Sequence, residues 1–217
     1  IVNEINNFVM IEQLEKILEQ RTTVKEFDGL PIADEKVIMI KEAVSKTPSC
    51  NNRYNFKVKA LGQSLEHRKS KVNLFDFVCT TSNTAVRYSD DNDSMVMRSP
   101  RSYSEANDWK SKKMLDSQKN GQVLAPLVLV WYFTDGDPIN NDFIDVGLSC
   151  WNTIITAESL GIQSGLCGCF DKEYMKSFLG VDGTPAVAVG FGYAETRITN
   201  AEKHPSKPRP SWSDIIV

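Results

Sequence analysis

The sequence predicts a single α/β domain in the broad α+β sense, a sheet flanked by helices, and three observations carry that expectation. At 217 residues the chain is long enough for one sizeable core, or at a stretch two small ones. Residues 123–133 form a nearly continuous β-branched and aromatic run and 185–189 a second, which is how strands buried on both faces read. Between them, 144–160 is a long helical stretch with apolar residues on most sides, closed by Gly161 as a left-handed cap. No repeat or linker divides the chain, so one domain is expected over 1–217.

The other elements follow in chain order. Met10, Ile11, Leu14, Ile17 and Leu18 fall at helical spacing and predict an amphipathic helix over 8–20, ending at Arg21. Pro31 opens a second helical segment, with Asp34 as its N-cap and Val37, Ile38, Ile40, Ala43 and Val44 as its apolar face; Pro48 stops it. Phe56, Val58 and Ala60 alternate with Lys57, Lys59 and Leu61, a strand with one wet face. The basic residues Arg53, Lys57, Lys59, His67, Arg68, Lys69 and Lys71 are expected to form a solvated face. Residues 89–120 are polar, with scattered Met95, Met97, Tyr103 and Trp109, and are expected to be a loosely helical excursion serving as a lid. Proline density forbids helix in the tail from Glu202 onward, so 201–217 is expected to be an extended arm, yet it ends in the apolar Trp212, Ile215, Ile216 and Val217. Packing across a partner subunit is one way to bury such an end.

Composition excludes several classes. Hydrophobic content of 41% and charged content of 24% are those of an ordinary soluble protein, and a net charge of −3 argues against a general nucleic-acid binder. No apolar run reaches the roughly 18–20 residues of a membrane helix. Five scattered cysteines (Cys50, Cys79, Cys150, Cys167, Cys169) are expected to be reduced thiols in a cytoplasmic protein, while a targeting segment ahead of Ile1 stays open. Cys167 and Cys169 have the wrong spacing for a zinc or redox pair, and two histidines are too few to complete a metal set, so no metal is expected. The stretch Gly161, Ile162, Gln163, Ser164, Gly165 is not a hydrolase nucleophile elbow, and Gly190 and Gly192 lack the third glycine of a dinucleotide fingerprint.

Three segments carry chemistry. Arg21, Thr22, Thr23 and Lys25 put two fixed positive charges and two hydroxyls within five residues, the inventory for holding a phosphate. Pro48, Ser49, Cys50, Asn51 and Asn52 form a turn whose Asn donates and accepts at once, which suits the amide-like edge of a heterocycle. Lys207 and Arg209 add a late basic pair. Each alone is most often a solvated helix end, a plain loop or a tail; together they amount to an anion site plus a turn.

In this order the segments resemble the nitroreductase family of FMN-dependent oxidoreductases, over most of the chain and most weakly between about 62 and 120. The resemblance implies a nitroreductase-like fold: a mainly antiparallel central sheet flanked by helices, with the C-terminal arm exchanged across a homodimer and FMN bound at the interface by residues of both chains. It assigns Arg21, Thr22, Thr23 and Lys25 to the FMN phosphate and part of the flavin, with Thr22 standing where the family usually has Arg or His. Pro48, Ser49, Cys50 and Asn52 match the segment lining the isoalloxazine ring, but Tyr54 and Asn55 replace a Gln-Pro pair and Phe56 a Trp. Gly165 to Asp171 resembles the stretch that presents backbone amides to the ring, which implies Cys167 and Gly168. Lys207 and Arg209 match the pair that closes over the phosphate. The implied activity is ping-pong hydride transfer from NAD(P)H to a nitroaromatic, quinone or similar small acceptor, with no protein residue acting as general acid. Rival readings are a non-catalytic flavin binder or sensor and a dehalogenase or flavin-destructase branch of the same fold.

Overall fold

The computed structural model describes residues 2–75, 86–88, 95–97, 121–134, 138–168, 170, 172–194 and 210–216. Its centre is a four-stranded antiparallel sheet, β1 (Phe56–Leu61), β4 (Leu127–Phe133), β6 (Thr184–Gly192) and β5 (Gln163–Cys167), in the order β1-β4-β6-β5. β2 (Val86–Tyr88) and β3 (Met95–Met97) form a separate antiparallel pair. Met95 and Met97, expected in a loosely helical excursion, are therefore strand residues, paired with Tyr88 and Val86. The rest of 89–120 lies outside the described residues, as do the arm from 201 to 209 and with it Lys207 and Arg209.

β4 shows why a continuous apolar run becomes a central strand. Its side chains alternate between two cores: Val128 and Val130 join Leu61, Leu74, Val123, Met175 and Leu179 on one face. Leu127, Leu129, Trp131 and Phe133 join Ile32, Ile40, Val146, Cys150 and Ile154 on the other. Both faces are covered, so neither tolerates a polar residue. Pro185 is the second residue of β6 and lies beyond the stretch that β5 pairs, Ala188–Gly192, next to a register shift between Trp131 and Tyr132, a place in a strand where a missing N–H is tolerated.

The first core lies under α3 (Leu65–Phe75) and α5 (Lys172–Leu179), and the second under α2 (Asp34–Ser45) and α4 (Asn140–Ser159). α1 spans Val2–Gln20, starting earlier than the apolar spacing predicts, and a short α6 covers Trp212–Ile215, so the end of the arm expected to be extended is helical there, past the last proline, Pro210. Asp34 is the first helical residue of α2 and not its N-cap; Ala33 takes the cap position and gives no side-chain bond. Gly161 adopts φ 76° just past α4, as its role as a left-handed cap requires. The Lys36 ammonium donates to the Leu160 carbonyl at 2.8 Å, a cation on the negative end of the helix dipole. Asn152 Nδ2 donates to the Ala43 carbonyl at 2.7 Å and Trp131 Nε1 to Ser149 Oγ at 3.0 Å, tying α4 to α2 and to the sheet.

Candidate functional site

The basic segment leaves α1 as an extended strand-like stretch along β5. Thr23 bridges Ser164 in parallel, and the Val24 N–H donates to the Ser164 carbonyl at 2.9 Å. Extended backbone alternates its side chains, and here Thr22 and Val24 are buried while Arg21, Thr23 and Lys25 fall on the accessible side. Of the two neighbouring hydroxyls, only that of Thr23 shares the accessible side with the cations. Two glycines permit the close approach. A Cβ at Gly165 would overlap the Val24 carbonyl oxygen and the Gln122 side chain, and a Cβ at Gly121 would overlap the Lys25 carbonyl oxygen.

Two residues around this edge escaped sequence reasoning. The Arg21 guanidinium lies 5.5 Å from the centre of the Trp151 ring on α4, a cation–π contact; an aromatic at that helix position reads from sequence as core packing, yet Trp151 is 45% exposed. Gln122, in the 3-10 turn Gly121–Leu124, is buried beside Gly165; its Nε2 reaches the Leu166 carbonyl at 3.4 Å, and its Oε1 has no hydrogen-bond partner. No motif signals it.

Cys167 and Gly168 continue the same strand outward. The Cys167 side chain belongs to the core, so only its backbone can serve a ligand. Among the described residues a Cβ at Gly168 would meet nothing within 4 Å, so the backbone there is open to them. Beside it, an apolar cleft of about 260 Å³ runs between α4 and the sheet, lined by Phe143, Val146, Cys150, Trp151, Leu166 and Val187 among others. Burial pushes the Cys150 thiol up to about 12, so it lines the cleft as a neutral, inert group.

The second predicted segment is held elsewhere on α4. Asp145 is buried and accepts from Ser49 Oγ at 2.7 Å and from the Cys50 N–H at 3.1 Å to each carboxylate oxygen. Ser49 Oγ in turn accepts from the Tyr54 N–H at 2.9 Å, and Asn141 Nδ2 donates to Cys50 Sγ at 3.2 Å. The Ser49 hydroxyl is thus engaged in holding the turn. These bonds fix an unusual backbone in which Asn51, Asn52 and Tyr54 all have positive φ, 52°, 57° and 47°, a region Asn tolerates and Tyr rarely adopts. Pro48 and Asn52 are exposed. The residues that replace the Gln-Pro pair have structural work: the Tyr54 hydroxyl donates to the Thr47 carbonyl at 2.6 Å, and buried Asn55 bridges Asp142 at 3.2 Å and Thr134 at 3.0 Å.

The described residues therefore assemble two half-sites and do not join them. Arg21 meets α4 at Trp151, and the turn meets it at Asp145. At ~1.5 Å and ~100° per residue, those positions are about 9 Å apart along the axis and about 120° apart around it. Among the described residues no cluster of His, Cys, Asp and Glu could hold a metal, and no helix is long and apolar enough to cross a membrane.

The chemistry of the basic half fits a phosphate-bearing flavin: a half-buried Arg21, an exposed Lys25 and the Thr23 hydroxyl on one edge, open backbone at Gly168, and a buried acceptor at Gln122 still lacking a donor among the described residues. Comparison with known proteins bears on the fold and the family. Among solved structures, the fold is similar to a nitroreductase with bound FMN from Desulfitobacterium hafniense, at 20% identity over 94% of this chain and 97% of that one, TM-score 0.60. It is also similar to an FMN-dependent nitroreductase from Clostridium difficile, at 13% identity over 90% and 98% of the two chains, TM-score 0.58. Nitroreductase A from Vibrio parahaemolyticus shares 13% identity over 94% of this chain and 75% of that one, TM-score 0.62. No curated protein matches the chain. The profile of the nitroreductase family matches residues 18–193, which takes in both half-sites, α4 and the whole four-stranded sheet; the chain belongs to the nitroreductase family.

Proposed function

We propose that this chain is an FMN-dependent oxidoreductase that takes reducing equivalents from NAD(P)H and passes them to a nitroaromatic, quinone or similar small acceptor in a ping-pong cycle. The observation that carries the reading is the edge formed by Arg21, Thr23 and Lys25, bridged to β5 beside the open backbone at Gly168. Bound FMN would supply the two-electron chemistry, and the protein supplies position and electrostatics. Arg21 and Lys25, with Lys207 and Arg209 from the arm, would hold the phosphate through charge-assisted bonds worth about 1.5–3 kcal/mol each before desolvation. The Trp151 ring, 5.5 Å from the Arg21 guanidinium, helps to position it. The backbone at Cys167 and Gly168 approaches the flat ring, and Lys25 offers positive charge against negative charge developing on it. Thr22, buried beside Val24, contributes to seating the segment.

The turn of Pro48, Ser49, Cys50 and Asn52 enters the same site from a second copy of the chain. Two facts support a homodimer. The half-sites lie on different faces of α4, and a two-fold axis is the simplest operation that brings different faces of one element together. α4 also exposes Phe143, Ile144, Leu148 and Trp151 at helical spacing, and α1 exposes Met10, Ile11, Leu14 and Leu18, apolar side chains that a second copy of the chain would cover. The roles expected of the C-terminal arm at the interface and of 89–120 as a lid belong to the same proposal, as does a cytoplasmic location.

The test is the absorbance spectrum of the purified protein before and after excess FMN and desalting. Retained flavin bands, lost in Arg21→Ala, and steady NAD(P)H oxidation with a quinone are expected. A protein that stays colourless after reconstitution overturns the reading, and retained FMN without turnover replaces the enzyme with a flavin-binding protein.

A further inference from the structure

The basic run expected to be a solvated face contains one residue that is not solvated. Lys71, on α3, is only 3% exposed, whereas Arg53, Lys57, Lys59, Arg68 and Lys69 are exposed. Its ammonium donates to the Ala125 carbonyl at 2.6 Å and the Pro126 carbonyl at 3.0 Å, which leaves one N–H of three. It lines a cavity of about 310 Å³ together with Gly29, Pro31, Gln63, Arg68, Leu124 and Pro126. None of these residues belongs to either half-site.

Among the described residues the charge of this cavity is uncompensated. Arg68 sits one turn before Lys71 and so on the same helix face. Its Nε donates to the Gln63 carbonyl at 2.8 Å, which orients the guanidinium and leaves its terminal N–H groups to bind something else. Among the described residues neither cation has a carboxylate within ion-pair distance. A buried ammonium with no counter-charge is costly, and a second cation beside it adds to the cost. Burial, and then the Arg68 charge, push Lys71 down to about 8. The rim is rigid, because Gln63 exchanges two hydrogen bonds with the Ile32 backbone, at 2.9 and 3.0 Å. Pro31, Leu124 and Pro126 make the rest of the wall apolar.

We propose that this cavity binds a small organic carboxylate, its carboxylate between Arg68 and Lys71 and its apolar body against Pro31, Leu124 and Pro126. The Arg fork matches the two oxygens of a carboxylate, and the lysine supplies a point charge from below. The apolar wall selects an organic acid over a bare inorganic anion. The site is independent of the FMN reading.

Calorimetric titration of the full chain with benzoate, and separately with inorganic phosphate, tests the assignment. Saturable benzoate binding is expected, unchanged by excess FMN, and about tenfold weaker in Arg68→Gln, the loss of one charge-assisted contact. Lys71→Met should abolish it, but that variant also loses two backbone anchors, so the exposed Arg68 carries the test. No saturable binding, equal binding to Arg68→Gln, binding that requires FMN, or phosphate bound in preference to benzoate would each overturn the proposal.

Discussion

Replacing Asp145 by Ala tests whether one carboxylate holds the strained turn at 49–54. The side chain receives two donors, the Ser49 hydroxyl and the Cys50 N–H. Hydrogen bonds to a charged group are worth about 1.5–3 kcal/mol each, so the ceiling is ~3–6 kcal/mol. Ser49 and Cys50 are half-buried, and water entering the vacated space restores part of that, leaving about 2–4 kcal/mol. For a chain of this length the melting temperature should fall by about 5–15 °C. Asp145→Asn is the sharper comparison. An Asn carbonyl can still accept from Cys50, while its amide donates to a Ser49 hydroxyl that turns from donor to acceptor. Both contacts survive as neutral bonds, roughly half as strong, so Asn should cost about 1–2 kcal/mol. Urea and thermal unfolding followed by circular dichroism read both values. Asp145→Ala within about 0.5 kcal/mol of the parent, or Asn more damaging than Ala, refutes the assignment.

Three other outcomes follow from the structure. The folded pKa of Lys71, about 8, lies below lysine's ordinary ~10.4, so the unfolded chain binds more protons between those values and stability rises with pH across that window. Below about 8 the fold carries the full cost of the charged ammonium. The neutral amine keeps two N–H donors for the Ala125 and Pro126 carbonyls, so nothing is lost on deprotonation. The difference in urea midpoint between the parent and Lys71→Met should shift toward the parent from pH 7 to pH 10, and a constant difference contradicts this. Cys150, 3% exposed and with its thiol pushed up to about 12, should stay unmodified by iodoacetamide at pH 8 in the native protein and react in urea; native labelling on a peptide map contradicts the burial. Gly165→Ala should cost about 1–3 kcal/mol through overlap with Val24 and Gln122, and should weaken FMN retention by moving the basic segment. Gly168→Ala, facing open space, should stay within about 0.5 kcal/mol in stability and still weaken FMN, if a ring packs there; equal loss of stability in both variants refutes the contrast.

Sequence was most informative where one physical signal dominates. The apolar runs became β4 and β6, the long helix became α4, and Gly161 closed it, because continuous burial and a left-handed cap leave few alternatives. Asp34 misled because a good capping residue is also favoured in the first helical turn, where its charge meets the dipole. α3 was invisible: its exposed residues include Arg68 and Lys69, and among its described side chains the buried ones are Leu74 and Lys71, the latter a residue type that almost never reads as core. On the site, the order of motifs revealed the basic edge and the turn. Pairwise facts such as Arg21 over Trp151, or Asp145 beneath Ser49, could not be read, because they join positions 130 and 96 residues apart with no signal linking them.

Those two contacts share an origin in α4. The helix presents Asp145, Ser149 and Asn152 toward α2 and the turn, and Trp151 with Phe143 toward the open cleft, while Leu148 is exposed. One rigid rod thus fixes the height and the angle of both half-sites, so a displacement of α4 must move the basic edge and the turn together. Its inner face is locked by polar bonds, which specify register and rotation more tightly than apolar packing alone. Its outer face is apolar and open, which leaves it available to a second chain. The sequence divides the labour accordingly. Polar residues at 142, 145, 149 and 152 hold the helix in place, and apolar residues at 143, 144, 148 and 151 remain to be covered. A substitution such as Leu148→Lys on the outer stripe should therefore leave the fold and the turn intact while lowering the oligomeric state measured by light scattering. Loss of folding instead would mean that the stripe serves this chain's own core.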